Sequence, residues 1–171
     1  MNWKLLLLGL AIAGAAVLGW IWLTPDEAPL FSLTILHTND VHAQYATPSD
    51  SSPGGAARLV SLVQSIRQQA DPVLLLDAGD QFQGTLLFTV GGADLVADVM
   101  NRIGYDAMSL GNHEFDEGPA ELARFIQQAS FPVLSANTDA RMDGNLSGLI
   151  LPYTLFRWDR HTVAVFGLTT A

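Results

Sequence analysis

Three short polar runs carry side chains that bind metal ions or move protons: Asp40-Val41-His42, Gly79-Asp80 and Gly111-Asn112-His113-Glu114. Carboxylate, imidazole and amide oxygen form a mixed O/N donor set, suited to Mn, Zn, Fe or Co more than to Ca or Mg. A carboxylate has two oxygens and can bridge two cations, and Asp80, from the middle run, is the candidate bridge. Two divalent ions roughly 3.5–4 Å apart clamp the attacking and leaving oxygens of an in-line displacement at phosphorus and lower the pKa of bound water. Asn112 offers a carbonyl oxygen without adding charge. His113 can then stay off the metals, to meet charge developing in the transition state or to protonate the leaving oxygen. Asp116 follows closely enough to orient that imidazole by a hydrogen bond. Each run alone also reads as an ordinary turn or helix cap. The combination points to one metal site.

The intervening elements explain how such distant runs would meet. Residues 32–38 read as a strand, β-branched and apolar and bounded by Asn39-Asp40. Ala56, Leu59, Val60, Val63 and Ile66 keep helical spacing over residues 55–70. After Pro72, residues 73–77 (VLLLD) form a continuous apolar run, typical of a strand buried on both faces. A second helix carries Leu95, Val96, Val99, Met100 and Ile103 and stops at Gly104; residues 106–110 are a short strand. Gly118-Pro119 opens a third helix with Leu122, Phe125, Ile126 and Ala129 on one face. Residues 132–136 and 161–168 read as further strands, separated by a turn-rich stretch at 139–148. Strands alternating with helices imply a mostly parallel α/β sheet. In open sheets of this class ligands bind beyond the carboxyl ends of the strands, so the three runs should converge on one edge.

Around these runs the wording is closer still to a known pattern. ILHTNDVH (35–42), LLDAGDQFQGT (75–85) and GNHEFD (111–116), with NTD (137–139) and FGLTT (166–170), resemble the bacterial 5′-nucleotidase / UDP-sugar hydrolase / 2′,3′-cyclic phosphodiesterase family of the metallophosphoesterase superfamily. The resemblance implies that Asp40 and His42 bind one divalent metal ion, Asp80 bridges, and Asn112 binds the second ion. It makes His113 the transition-state acid and Asp116 its partner. The implied reaction is hydrolysis of a small nucleotide-like phosphate ester by metal-activated water. The implied fold is a four-layer α/β/β/α sandwich, of which this chain supplies the N-terminal half. Family members continue into further His ligands, including a Gly-His-x-His word, and a C-terminal domain that grips the nucleoside. We therefore expect the chain to be the N-terminal part of a longer reading frame and weak or inactive alone; the alternative is a catalytically inactive, membrane-tethered domain that binds metal or a partner. Of the other polar groups, His37 is expected to be packed or behind the ligands, His161 structural, and Asp77 a buried carboxylate satisfied by loop amides.

Composition narrows the partners. The 141 residues after position 30 carry seven Arg, no Lys and 15 Asp+Glu, a net charge of −8. So few cations argue against a nucleic-acid groove or a polybasic lipid contact. There is no Cys, which excludes disulfides, Cys-based zinc sites and thiol nucleophiles. At the amino end, Lys4 precedes 19 uncharged residues, Leu5 to Leu23, enough for a helix of roughly 28 Å, near the thickness of a bilayer core. Trp3, Trp20 and Trp22 sit near its ends, and Asp26 and Glu27 follow it. Residues 1–23 thus read as an uncleaved signal anchor, with a cleaved signal peptide the alternative. Residues 24–30 are a linker and residues 31–171 the phosphoesterase domain. Either reading exports that domain to the periplasmic or cell-surface side.

Overall fold

The computed structural model describes residues 31–48 and 54–170. The expected anchor or signal segment (1–23) and linker (24–30) lie outside the described residues. Among those described, no helix is long and apolar enough to cross a membrane.

The chain runs β1 (Thr34–Thr38), α1 (Ala56–Arg67), β2 (Val73–Asp77), α2 (Leu86–Ile103), β3 (Ala107–Ser109), a 3₁₀ turn (His113–Phe115), α3 (Pro119–Gln128), β4 (Val133–Leu134), β5 (Tyr153–Trp158) and β6 (His161–Phe166). Strands β1 to β4 form a parallel sheet in sequence order, in registers such as Leu36 opposite Leu75 and Asp77 opposite Met108. Right-handed crossovers stepping in one direction put all three helices on the same face. The side-chain pattern agrees: Leu36, Leu75, Met108 and Val133 point into the cluster that also holds Val63, Val96, Met100, Leu122 and Phe125. Phe82, fully buried, packs edge-on against Phe125 with ring centroids 5.4 Å apart and tilted against Phe88 at 5.0 Å. Burying a Phe is worth about 1.5–3 kcal/mol. Because Phe82 lies two residues after Asp80, that burial also anchors the loop bearing the candidate bridge.

Local chemistry sets the ends of these elements. Gly104 closes α2 in the left-handed region (φ 85°), donating to the Met100 carbonyl. Asp106 does not extend β3; its carboxylate accepts the Leu75 N–H and the Arg67 guanidinium, both at 2.7 Å. Helix α2 is bent at Gly92, and the Ala93 N–H released there donates to the Glu121 carboxylate at 2.8 Å. After β4 the chain stays beside its neighbours through Ser135 N–H to the Leu151 carbonyl and Ala136 N–H to the Gly167 carbonyl.

Two expectations need correction. Tyr153–Trp158 is a strand within residues 149–160, for which the sequence pattern suggested no element; it pairs antiparallel with β6 as a separate hairpin, turning at Asp159-Arg160. Tyr153, Leu155 and Phe166 on one face of the hairpin remain exposed. His37 is exposed rather than packed. Strand alternation pairs it with exposed Ile35, on the face away from the helices.

Candidate metal centre

The parallel strands deliver the three polar runs to one edge, where their loops hydrogen-bond to each other. The Asp40 N–H donates to the Gly79 carbonyl, His42 N–H to the Asp80 carbonyl and Ala43 N–H to the Gln81 carbonyl, each at 3.0 Å. The His113 N–H donates to Asp80 Oδ1 at 3.0 Å. The backbones approach so closely that glycine is required. A Cβ on Gly79 would lie 2.3 Å from the Gly111 nitrogen, and one on Gly111 would lie 2.2 Å from Asp80 Oδ1. Asp40, His42 and Asp80 all sit in the left-handed region, at φ 53°, 49° and 58°. Such conformations cost non-glycine residues of order 1–3 kcal/mol and persist where surrounding contacts fix them.

His42, Asp80 and His113 each offer a ligand atom within 4.8 Å of the others. The two imidazoles stand edge to face, centroids 5.0 Å apart. Their Nδ1 atoms have different partners. His42 Nδ1 lies 3.0 Å from the Phe82 carbonyl, which can only accept, so Nδ1 carries the hydrogen and the neutral ring has its lone pair on Nε2. His113 Nδ1 donates to Asp116 Oδ2 at 2.7 Å, and this bond raises the imidazole above its ordinary pKa. One imidazole bonded to the fold through Nδ1 and a carboxylate, on a backbone cradle closed by two glycines, fit a divalent cation. The remaining expected ligands stand differently. Asn112 is exposed beside His113 at the start of the 3₁₀ turn. The Asp40 carboxylate is outside the His42–Asp80–His113 group; it accepts from Asn39 Nδ2 and borders a cavity of about 570 Å³ also lined by Tyr45, Arg58 and Tyr105.

Two groups beneath the site had no assigned role in the site. Glu114 is fully buried, and its carboxylate accepts four backbone N–H groups, from Asp80, Gln81, Phe82 and Gly111. Burial lifts its carboxyl above the ordinary value, against the pull of those amides. Gln81 is equally buried and links Tyr45 Oη–H (2.9 Å) to Asp77 Oδ2 (2.7 Å). Asp77 is the buried carboxylate that the sequence suggested. It accepts from Gly79 N–H at 2.9 Å and from the Thr38 hydroxyl, which also bonds Tyr105 Oη. Burial pushes its carboxyl up to about 7. The available signal for Glu114 was its place among glycines and candidate ligands, but sequence does not tell which way a residue of a one-turn element points.

Residues 33–162 match the family model described as calcineurin-like phosphoesterase. The chain is 46% identical over 155 residues to the 5′-nucleotidase of Rattus norvegicus, covering 84% of this chain and 27% of that protein. It is 37% identical over 179 residues to the trifunctional nucleotide phosphoesterase protein YfkN of Bacillus subtilis, covering 85% of this chain and 12% of that one. The crystal structure of a 5′-nucleotidase precursor from Thermus thermophilus superposes with a TM-score of 0.73 at 46% identity, over 82% of this chain and 29% of that chain. The chain thus spans roughly a quarter of the length of several relatives it matches. With the family match over most of its length and a parallel sheet of the same fold beneath its polar loops, this chain belongs to the calcineurin-like phosphoesterase family.

Proposed function

We propose that the protein hydrolyses nucleotide-like phosphate monoesters outside the cytoplasm, with His42 and Asp40 holding one divalent ion, Asp80 shared, and Asn112 holding a second. The observation that carries this reading is the convergence of His42, Asp80 and His113 from three strand ends. Divalent ions of the Mn, Zn, Co or Fe type would supply Lewis acidity and neutralise phosphoryl charge. The residues do the rest. The Phe82 carbonyl holds His42 in the tautomer whose Nε2 lone pair is available. His113 N–H holds one side of the Asp80 carboxylate and leaves Oδ2 to a cation. Asp116 stabilises the His113 imidazolium, whose Nε2–H is then the proton source for the leaving ester oxygen.

The remaining parts of the reading follow the relatives. The rat protein is a 5′-nucleotidase, which supports a nucleoside monophosphate as substrate class. The relatives' additional length, with Tyr153 55% and Phe166 65% exposed, supports a four-layer sandwich whose second sheet starts at the β5–β6 hairpin. Residues 1–23 serve as anchor or signal, 24–30 as linker and 31–171 as phosphoesterase domain.

The test measures Mn²⁺ binding to the full chain, together with phosphate release from a nucleoside 5′-monophosphate by a protein that carries this chain at the length of its relatives. Asp80→Asn should abolish nearly all of both. Mn²⁺ binding without ester turnover would favour the non-catalytic alternative, and unchanged turnover in Asp80→Asn would remove the assignment.

A further inference from the structure

Resting on the metal-site reading above, we infer that Glu114 is a positioning residue of that centre: its carboxylate fills a backbone nest that fixes the Asp80 loop and thereby sets the affinity for divalent cations without reaching one. The sequence places a carboxylate next to His113, where it would readily pass for a ligand. The 3₁₀ turn sends the two side chains opposite ways, His113 partly to solvent and Glu114 to full burial.

The hydrogen bonds decide its role. A carboxylate has about four acceptor positions. Glu114 Oε2 takes the Asp80 N–H (2.9 Å) and Gly111 N–H (2.7 Å), and Oε1 takes the Gln81 N–H (2.7 Å) and Phe82 N–H (3.2 Å). All are spent on backbone amides, leaving none for a cation. Three of the donors are successive, and successive N–H groups around a left-handed residue form a concavity that binds anions. Here the anion is the protein's own. Asp80 is that left-handed residue, at φ 58°.

The two loops also exchange carboxylates. Glu114, from the third loop, accepts the Asp80 N–H, while Asp80, from the second, accepts the His113 N–H through Oδ1. Each charged side chain thus holds the backbone that carries the other's run. Without Glu114, three consecutive amides, two of them buried, lose their acceptor, and the left-handed conformation aiming Asp80 loses a support. Phe82, next in the same nest, supplies the carbonyl that fixes His42 Nδ1. One carboxylate therefore sets the orientation of two candidate ligands.

The experiment measures Mn²⁺ affinity of the full chain by electron paramagnetic resonance of the free ion, with near-ultraviolet circular dichroism reporting the fold. Glu114→Gln keeps the shape but turns an NH₂ toward two N–H donors. We expect it to weaken Mn²⁺ binding about 10–100-fold, the usual loss for a residue that orients ligands. Glu114→Asp keeps the charge but is one methylene short, and should fall between. Asp106→Asn is the control: its carboxylate also accepts a backbone amide, at the opposite edge of the sheet, so it should lower the melting temperature and leave Mn²⁺ affinity unchanged. A folded Glu114→Gln protein with affinity within about twofold of wild type, against that 10–100-fold expectation, overturns the inference. Should that variant not fold, unchanged affinity in Glu114→Asp overturns it equally. Wild-type protein that binds no Mn²⁺ would instead take down the metal-site reading on which the inference rests.

Discussion

Asp77 gives the most quantitative prediction. Its side chain is buried below the site, on the helix side of β2, and burial pushes the carboxyl from 3.8 up to about 7. Protonation suits the surroundings, because the Thr38–Tyr105 hydroxyl pair can reverse its hydrogen bonds and let Thr38 accept. Unfolding returns the group to its ordinary value. Between about pH 4 and 7 the unfolded chain therefore binds fewer protons than the folded one, and stability falls as pH rises. The contribution is fully present below 3.8 and lost once pH passes 7. About three pKa units at 1.36 kcal/mol each make a loss of about 4 kcal/mol, or on the order of 10 °C in melting temperature for a domain this size. Asp77→Asn cannot ionise and lacks this slope. Thermal melts of the chelated full chain at pH 4 and pH 8 should show wild type losing about 4 kcal/mol more than Asp77→Asn. The difference between the two proteins largely cancels the contributions of other titrating groups. Parallel profiles, or a wild type that gains on the variant as pH rises, would show that the three donors hold Asp77 ionised and would refute the reasoning.

Two further substitutions test the frame of the site. Gly111→Ala places a methyl 2.2 Å from Asp80 Oδ1 and 2.6 Å from its backbone nitrogen; it should destabilise the chain by about 1–3 kcal/mol and weaken Mn²⁺ binding, read by melting and by the same resonance titration. Phe125→Ala opens the core beneath Phe82; it should cost about 3–5 kcal/mol in chemical denaturation and, because Phe82 carries the carbonyl that holds His42 Nδ1, weaken Mn²⁺ binding in the folded protein.

The edge on which the candidate site lies was legible because parallel strands leave little choice: runs that follow strands 30 to 40 residues apart in sequence must share the carboxyl edge. Val73–Asp77 has the same limits in sequence and structure, since a charge-free apolar run ending in Asp77-Ala78-Gly79 has few alternatives. What local pattern did not contain was orientation. The aim of the Asp40 carboxylate depends on a loop with several residues at positive φ, and these are fixed by contacts with the 79–81 backbone. The inward turn of Glu114 depends on a 3₁₀ turn of three residues, too short for any periodicity. Strand β5 escaped for a different reason. Its exposed positions include Tyr153 and Leu155, so it lacks the alternation of apolar and polar residues that marks a half-buried strand.

The two imidazoles show how backbone geometry divides chemistry between identical side chains. His42 and His113 are 5.0 Å apart and flank the same carboxylate, so position alone does not separate a ligand from a proton donor. Their Nδ1 acceptors do. A carbonyl occupies Nδ1–H without adding charge, and so directs the ring's other nitrogen, Nε2, to the site. A carboxylate stabilises the cation, and so favours a ring with a proton on each nitrogen. The carbonyl belongs to Phe82, which is held by the Glu114 nest and the aromatic core; the carboxylate belongs to Asp116, one turn along from His113 itself. Under the proposed function the ligand is tied through the fold and the acid through its own short turn, so perturbing the core or the nest should reach metal affinity before it reaches the proton donor.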